Sequence, residues 1–84
     1  MAEVMGWPIC NKGNVTDFNS SNQLGYYDIR GSVLNAPKPS FYGILLVVRS
    51  GSEVLQLVST SSNELFSRTS TNGGTSWTDW ATIR

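Results

Sequence analysis

The run Gly43-Ile44-Leu45-Leu46-Val47-Val48 constrains the fold more than any other stretch of the chain. Phe41 and Tyr42 extend it on one side, and Arg49-Ser50-Gly51-Ser52 closes it on the other. It is far shorter than the about 20 apolar residues that a membrane-spanning helix needs, so membrane insertion is not expected. It is also short for a buried helix. Valines at its end and turn residues on both flanks favour a strand covered on both faces. The run therefore reads as the central strand, about Tyr42 to Arg49, of a small antiparallel sheet. Either Ile44, Leu46 and Val48 or Leu45 and Val47 supply the core, and the other set needs a second surface, which a neighbouring subunit can provide.

An 84-residue chain makes one domain and buries only about 60% of its unfolded surface, so its own core leaves it marginal. Small domains add disulfides, metals or oligomerisation. Cys10 is the single cysteine and histidine is absent, so one chain can build neither an intrachain disulfide nor a Cys/His zinc site, and no cofactor is expected. Oligomerisation is left as the support, with composition silent on the number of copies. Six basic and six acidic residues cancel, and without a basic patch nucleic-acid binding is disfavoured. A hydroxyl-rich surface with only 14% charged residues suits a sugar-facing extracellular protein and equally suits any soluble β-domain. The N-terminus lacks a signal-peptide pattern, which fits release by cell lysis or a fragment of a longer chain.

Residues 1–14 read as a connector or stalk remnant, because Gly6-Trp7-Pro8 and Asn11-Lys12-Gly13-Asn14 are breaker clusters without a period. Trp7 and Ile9 are expected to pack on a neighbouring body. Asp17 is placed to cap one helical turn over Phe18 to Ser21. Gly25 opens a strand through Tyr26-Tyr27-Asp28-Ile29, and Arg30 to Ser40 is a loop, since Pro37 and Pro39 lack amide donors. After the central strand, turns at Ser50-Gly51-Ser52, Ser61-Ser62-Asn63 and Thr71-Asn72-Gly73-Gly74 separate strands over Val54 to Thr60, Glu64 to Thr69 and Trp77 to Ile83. Regularly spaced turns indicate a meander. The expected fold is mainly β, an antiparallel meander with at most one short N-terminal helical turn, in a domain spanning 15–84.

In this order and spacing, several pieces form a pattern. They are Asp17-Phe18-Asn19, Gly25-Tyr26-Tyr27, Asn35-Ala36-Pro37, Tyr42-Gly43 leading into Ile44 to Val48, Gln56, Phe66-Ser67-Arg68, and Asn72-Gly73-Gly74 followed by Trp77, Trp80 and Ile83. From about Val15 to Arg84 the chain resembles the knob domain of R-type pyocin tail fibres, a module also found in bacteriophage tail fibres. The resemblance implies a β-rich knob on a slender homotrimeric fibre, at or near the end that recognises glycans or other receptors of bacterial surfaces. It implies a virion tail fibre as the location, other fibre or tail proteins as partners, and no catalysis by the knob. Cys10 lies outside the resemblance.

Ser70 to Trp77 also looks like an Asp-box, the turn-fixing hairpin of sialidases, with Asn72 for the aspartate and Ser76 for the threonine. A propeller needs several such repeats and this chain has one, so the stretch reads as a tight hairpin whose asparagine bonds the loop backbone.

The candidate receptor-binding residues are Trp77, Trp80, Arg68, Tyr27 and Tyr42. In a regular strand Trp77 and Trp80 point to opposite faces; one indole is then core and the other exposed or held at a subunit interface. An exposed ring is a platform for a sugar, whereas the plain structural expectation is that both rings pack. Tyr26 and Tyr27 divide in the same way, the outward one offering a hydroxyl to a glycan. Arg68, beside Phe66 on one face of its strand, is able to meet an acidic sugar or a phosphate, or to form a salt link with Asp79 or Glu64. A paired-carboxylate glycosidase needs a sugar cleft between two acids, and the acids here mostly flank turns. Without histidine a histidine-based serine triad is excluded within one chain.

The function expected is therefore a non-catalytic tail-fibre module that contributes to recognition of a host-surface glycan. The alternatives are an accessory domain of a tailspike depolymerase or sialidase-like protein, and a structural spacer or trimerisation element without a ligand.

Overall fold

The computed structural model of the chain describes residues 10–84. The expectations for Trp7 and Ile9 lie outside the described residues. Six strands follow in order: β1 Asn11–Asn14, β2 Gly25–Gly31, β3 Phe41–Ser50, β4 Glu53–Thr60, β5 Leu65–Ser70 and β6 Ala81–Thr82. Among the described residues the one helical element is a 3-10 turn at Phe18–Ser20. The strands lie side by side in sequence order in a single sheet, so the meander expected from the turn spacing is present. Every pairing is antiparallel except β1 with β2, which is parallel. The last four residues of the sequence-derived connector thus form an exposed edge strand. A short polar segment of this kind carries no alternation, and its pairing is set by the neighbouring strand rather than by its own residues.

β3 sits between β2 and β4, with Leu45 opposite Tyr27 on one side and Val58 on the other. The alternation of its run resolves into two faces. Phe41, Leu45 and Val47 are buried together with Ile29, Val54, Val58 and Phe66 from the flanking strands. Tyr42, Ile44 and Val48 point the other way and are exposed, with Tyr26 beside them on β2. The strand was expected to be covered on both faces; among the described residues one face is covered. The described segments that pack on the core fold over that same side. The corner at Phe18 and the segment carrying Val33 and Ala36 lie against the core, as do Trp77 and Trp80.

Gly43 belongs to the run for a steric reason. A Cβ at this position would collide with the backbone of Ser59 and Thr60 on β4, so only glycine lets the two strands approach this closely.

The final strand is much shorter than the expected Trp77 to Ile83. Thr78 N donates to Thr69 O at 2.9 Å, and Thr78 Oγ1 accepts from Thr69 N at 3.0 Å. Side-chain and backbone bonds of one threonine here replace the ladder, and regular pairing resumes only at Ala81 and Thr82.

Candidate functional site

The covered face carries a chain of polar contacts that starts at the corner. Asp17 caps the 3-10 turn, as expected: its Oδ1 accepts from Asn19 N at 2.9 Å, and also from Asn35 Nδ2 at 2.8 Å. Asn35 adopts a left-handed backbone, with φ 60°. One carboxylate thereby ties the corner at Asn19 to the loop at Asn35. Below the corner, the fully buried Gln56 of β4 donates from Nε2 to Phe18 O at 2.6 Å and to Ser21 O at 2.8 Å. Phe18 O also accepts from Ser21 N at 3.3 Å, whereas for Ser21 O the Gln56 amide is the one partner among the described residues.

Gln56 stands opposite Arg68 of β5. Arg68 Nε donates to Gln56 Oε1 at 2.7 Å, and its Nη2 donates to Asn19 Oδ1 at 2.9 Å. Arg68 is only 7% exposed. Its guanidinium carbon lies 4.5 Å from the Trp77 ring centroid and 4.6 Å from that of Trp80. The cation is therefore held by two neutral acceptors and two aromatic rings, and among the described residues it has no carboxylate in ion-pair contact. A guanidinium is weakly hydrated and tolerates such a setting better than an ammonium would. Burial pulls the Arg68 pKa down to about 10, while the charge of Asp17 acts in the opposite direction.

Both tryptophans come from the segment between β5 and β6, which is fixed at each end. At its start, Ser70 Oγ accepts from Gly74 N at 2.9 Å, and Asn72 Oδ1 accepts from Ser76 N at 2.9 Å. Gly73 and Gly74 take φ values of 72° and 97° there, and Gly73 N donates to Ser52 O at 2.8 Å. The Asp-box-like stretch is thus a self-bonded hairpin tip, as the sequence implied, with Asn72 bonding the loop backbone. At its end, Trp80 Nε1 donates to Asn35 O at 3.0 Å, and its ring meets Phe18 edge-on, with centroids 5.5 Å apart. Trp77 Nε1 is buried without a hydrogen-bond partner among the described residues.

These elements enclose a cleft of about 370 Å³ lined by Asn19, Arg68, Thr75, Trp77, Asp79 and Trp80, among others. That volume falls within the about 300–1,000 Å³ of small-molecule sites. Thr75, Ser76 and Asp79, which also line it, are exposed, so the outer wall is polar and solvated while the inner wall is aromatic.

Three of the five candidate residues, Arg68, Trp77 and Trp80, meet in this cleft. The expectation of opposite faces for the two tryptophans is overturned, because the segment is not a strand and both rings close on one cation. The salt link expected for Arg68 is replaced by Gln56 and Asn19, and Glu64 pairs instead with Lys38, at 2.6 Å. Tyr27 is half-buried on the covered face and packs on the core, its hydroxyl pushed up by burial against a hydrogen bond with the Gln23 backbone; the outward tyrosine of the pair is Tyr26. Tyr42 lies on the open face, away from the cleft. Gln56, Asn19 and Asn35 were visible in the sequence only as parts of the knob pattern, with no role attached.

No family model and no curated protein matches the sequence. The fold is similar to part of a solved structure of the Pseudomonas aeruginosa R1 pyocin fibre comprising its C-terminal residues 323–701, with a TM-score of 0.71 and 24% sequence identity. The similarity covers 88% of this chain and 21% of that one, so the chain spans about a fifth of the fibre fragment's length.

Proposed function

We propose that the chain is a non-catalytic module of a phage or pyocin-like tail fibre that contributes to recognition of the host-cell surface. The observation that carries this reading is the fold likeness to the pyocin fibre, which extends over 88% of the chain. In this reading the protein acts outside the bacterium as part of a virion tail, joined to other fibre or tail proteins.

The open face of the sheet fits assembly around a fibre axis. Tyr42, Ile44 and Val48 are 61%, 54% and 43% exposed on one strand, an apolar row that the described residues leave open. Covering it with further copies, as a homotrimer, also adds stability to a chain whose own core is small. The cleft lies on the opposite, covered side, where the same assembly leaves it accessible. Each copy then presents one weak glycan contact, and three contacts on one axis bind far more tightly than one. The contact is made by polar groups and ring edges, because Arg68 occupies the ring faces turned toward it. Asp79 is the one carboxylate among the lining residues, whereas glycoside hydrolysis uses two, which supports binding without turnover.

The test is saturable binding of the fluorescently labelled chain to a panel of bacterial cells. Wild type is expected to bind at least one strain, and Thr75→Trp, which fills the cleft from an exposed position, is expected to lose that binding while keeping its circular dichroism spectrum. Equal binding by Thr75→Trp, or no saturable binding to any strain, would leave the module a spacer.

A further inference from the structure

A guanidinium carries five N–H groups. Two of those on Arg68 are used, on Gln56 and Asn19. The remaining three, both on Nη1 and one on Nη2, have no acceptor among the described residues. Arg68 lines the cleft, and its position is set from below by Gln56, from the side by Asn19 and by two indoles. The unused N–H groups include one on each terminal nitrogen, the end of the fork that grips two oxygens of a planar anion. A buried cation with three of its five donors unfilled among the described residues, in a cleft walled by rings and hydroxyls, is a receptor for an anion carried on a polar body.

We propose that the cleft binds an acidic sugar, a pyranose whose carboxylate or phosphate docks on the free end of the Arg68 guanidinium while its hydroxyls meet Thr75 and Ser76. This rests on the assignment of the cleft to host-surface recognition and names the chemistry of its ligand. The ring size suits a cleft of about 370 Å³, and the anion supplies the charge that the fold withholds from Arg68. Asp79 is the opposing term. It is an exposed carboxylate on the same wall, and it repels the ligand through solvent, where such effects are modest and screened by salt. That repulsion gives the proposal a sharp signature, because removing it must tighten an acidic ligand and leave a neutral one unchanged.

The experiment is a titration of the full chain, followed by tryptophan fluorescence, with sodium glucuronate, glucose 6-phosphate, glucose and inorganic phosphate. Glucuronate, glucose 6-phosphate or both are expected to perturb the emission at concentrations about tenfold below glucose and inorganic phosphate. Whichever acidic sugar binds identifies the carboxylate or the phosphate as the docked group. Asp79→Asn is expected to tighten that ligand about threefold at low salt and leave glucose unchanged, and Arg68→Lys, checked for folding by circular dichroism, to weaken it about tenfold. Glucose binding as well as the acidic sugars, inorganic phosphate binding as well as the sugar phosphate, no binding by any probe, or an Asp79→Asn variant that fails to tighten, each overturns the acidic-sugar proposal. Those outcomes leave the host-recognition reading intact if Thr75→Trp still abolishes cell binding; if Thr75→Trp leaves cell binding unchanged, that reading falls instead.

Discussion

Gln56 and Arg68 face each other across β4 and β5, and the hydrogen bond from Arg68 Nε to Gln56 Oε1, at 2.7 Å, joins the chain corner to the wall of the cleft. Gln56 has a donor end and an acceptor end, and both are filled: the donors by the corner carbonyls of Phe18 and Ser21, the acceptor by a cation. Few other side chains satisfy that demand in a fully buried position. Replacing Gln56 by leucine strands the Ser21 carbonyl and a charged N–H and leaves Phe18 O with Ser21 N alone, so Gln56→Leu is expected to lose about 3 kcal/mol in urea unfolding. It should also weaken any ligand of the cleft, because Arg68 loses its lower support.

Gly43→Ala tests the close approach of β3 and β4. The added methyl meets backbone atoms of Ser59 and Thr60, which cannot swing aside as a flexible side chain would. The expected cost is about 2–3 kcal/mol, read from the urea midpoint. Gly51→Ala is the internal comparison: the space there is open, and only its φ of 62° opposes the substitution, so it should cost about 1 kcal/mol.

Asp17→Ala removes the cap of the corner and the shared acceptor of Asn19 and Asn35. A lost cap costs about 1 kcal/mol. Asn19 bonds Arg68 and Asn35 bonds Trp80, so the same change should loosen the cleft, seen as a red shift of tryptophan emission in the folded protein.

The link between Lys38 and Glu64 predicts a response to acid. The hydrogen bond from Lys38 holds the Glu64 carboxyl below its usual value, against a smaller opposing effect of burial and with help from Thr60. A depressed carboxyl contributes stability above the pH where the unfolded chain ionises, and loses it as the pH falls through the folded value. Wild-type Tm should therefore fall below the ordinary carboxylate range more than that of Glu64→Gln, and the two curves should run parallel near neutrality. The pair is solvent-exposed, so the difference is small and shrinks with salt.

Much of the sheet was legible in the sequence because β2 to β5 are separated by strong turn residues and alternate on one face. The position of Asp17 as a cap and the bonding of Asn72 to its own loop follow from local chemistry, and local chemistry can be read along a chain. The site was only partly legible. Arg68 was placed beside Phe66 on one strand face, but its partners were not legible, since burial of an arginine depends on which residue lies opposite, and the pairing with Gln56 is a matter of register between strands. Trp77 and Trp80 were assigned to opposite faces by a strand period that Thr78 breaks when it bonds Thr69. The four residues of β1 have no signal of their own, being polar and exposed, and only the neighbouring Tyr26 to Asp28 segment gives them a partner. The apolar run promised two covered faces, and the described residues supply one.

The open face carries the central test. In the proposed reading the module works as three copies that associate through Tyr42, Ile44 and Val48, which are exposed on one strand. The measurement is the solution mass of the chain by light scattering across the micromolar range, together with Ile44→Lys. The account predicts a mass near three times the 9.2 kDa of one chain, and a fall to a single chain in Ile44→Lys with the sheet spectrum retained. A wild-type chain that stays at 9.2 kDa throughout that range, or a trimer indifferent to Ile44→Lys, would contradict it.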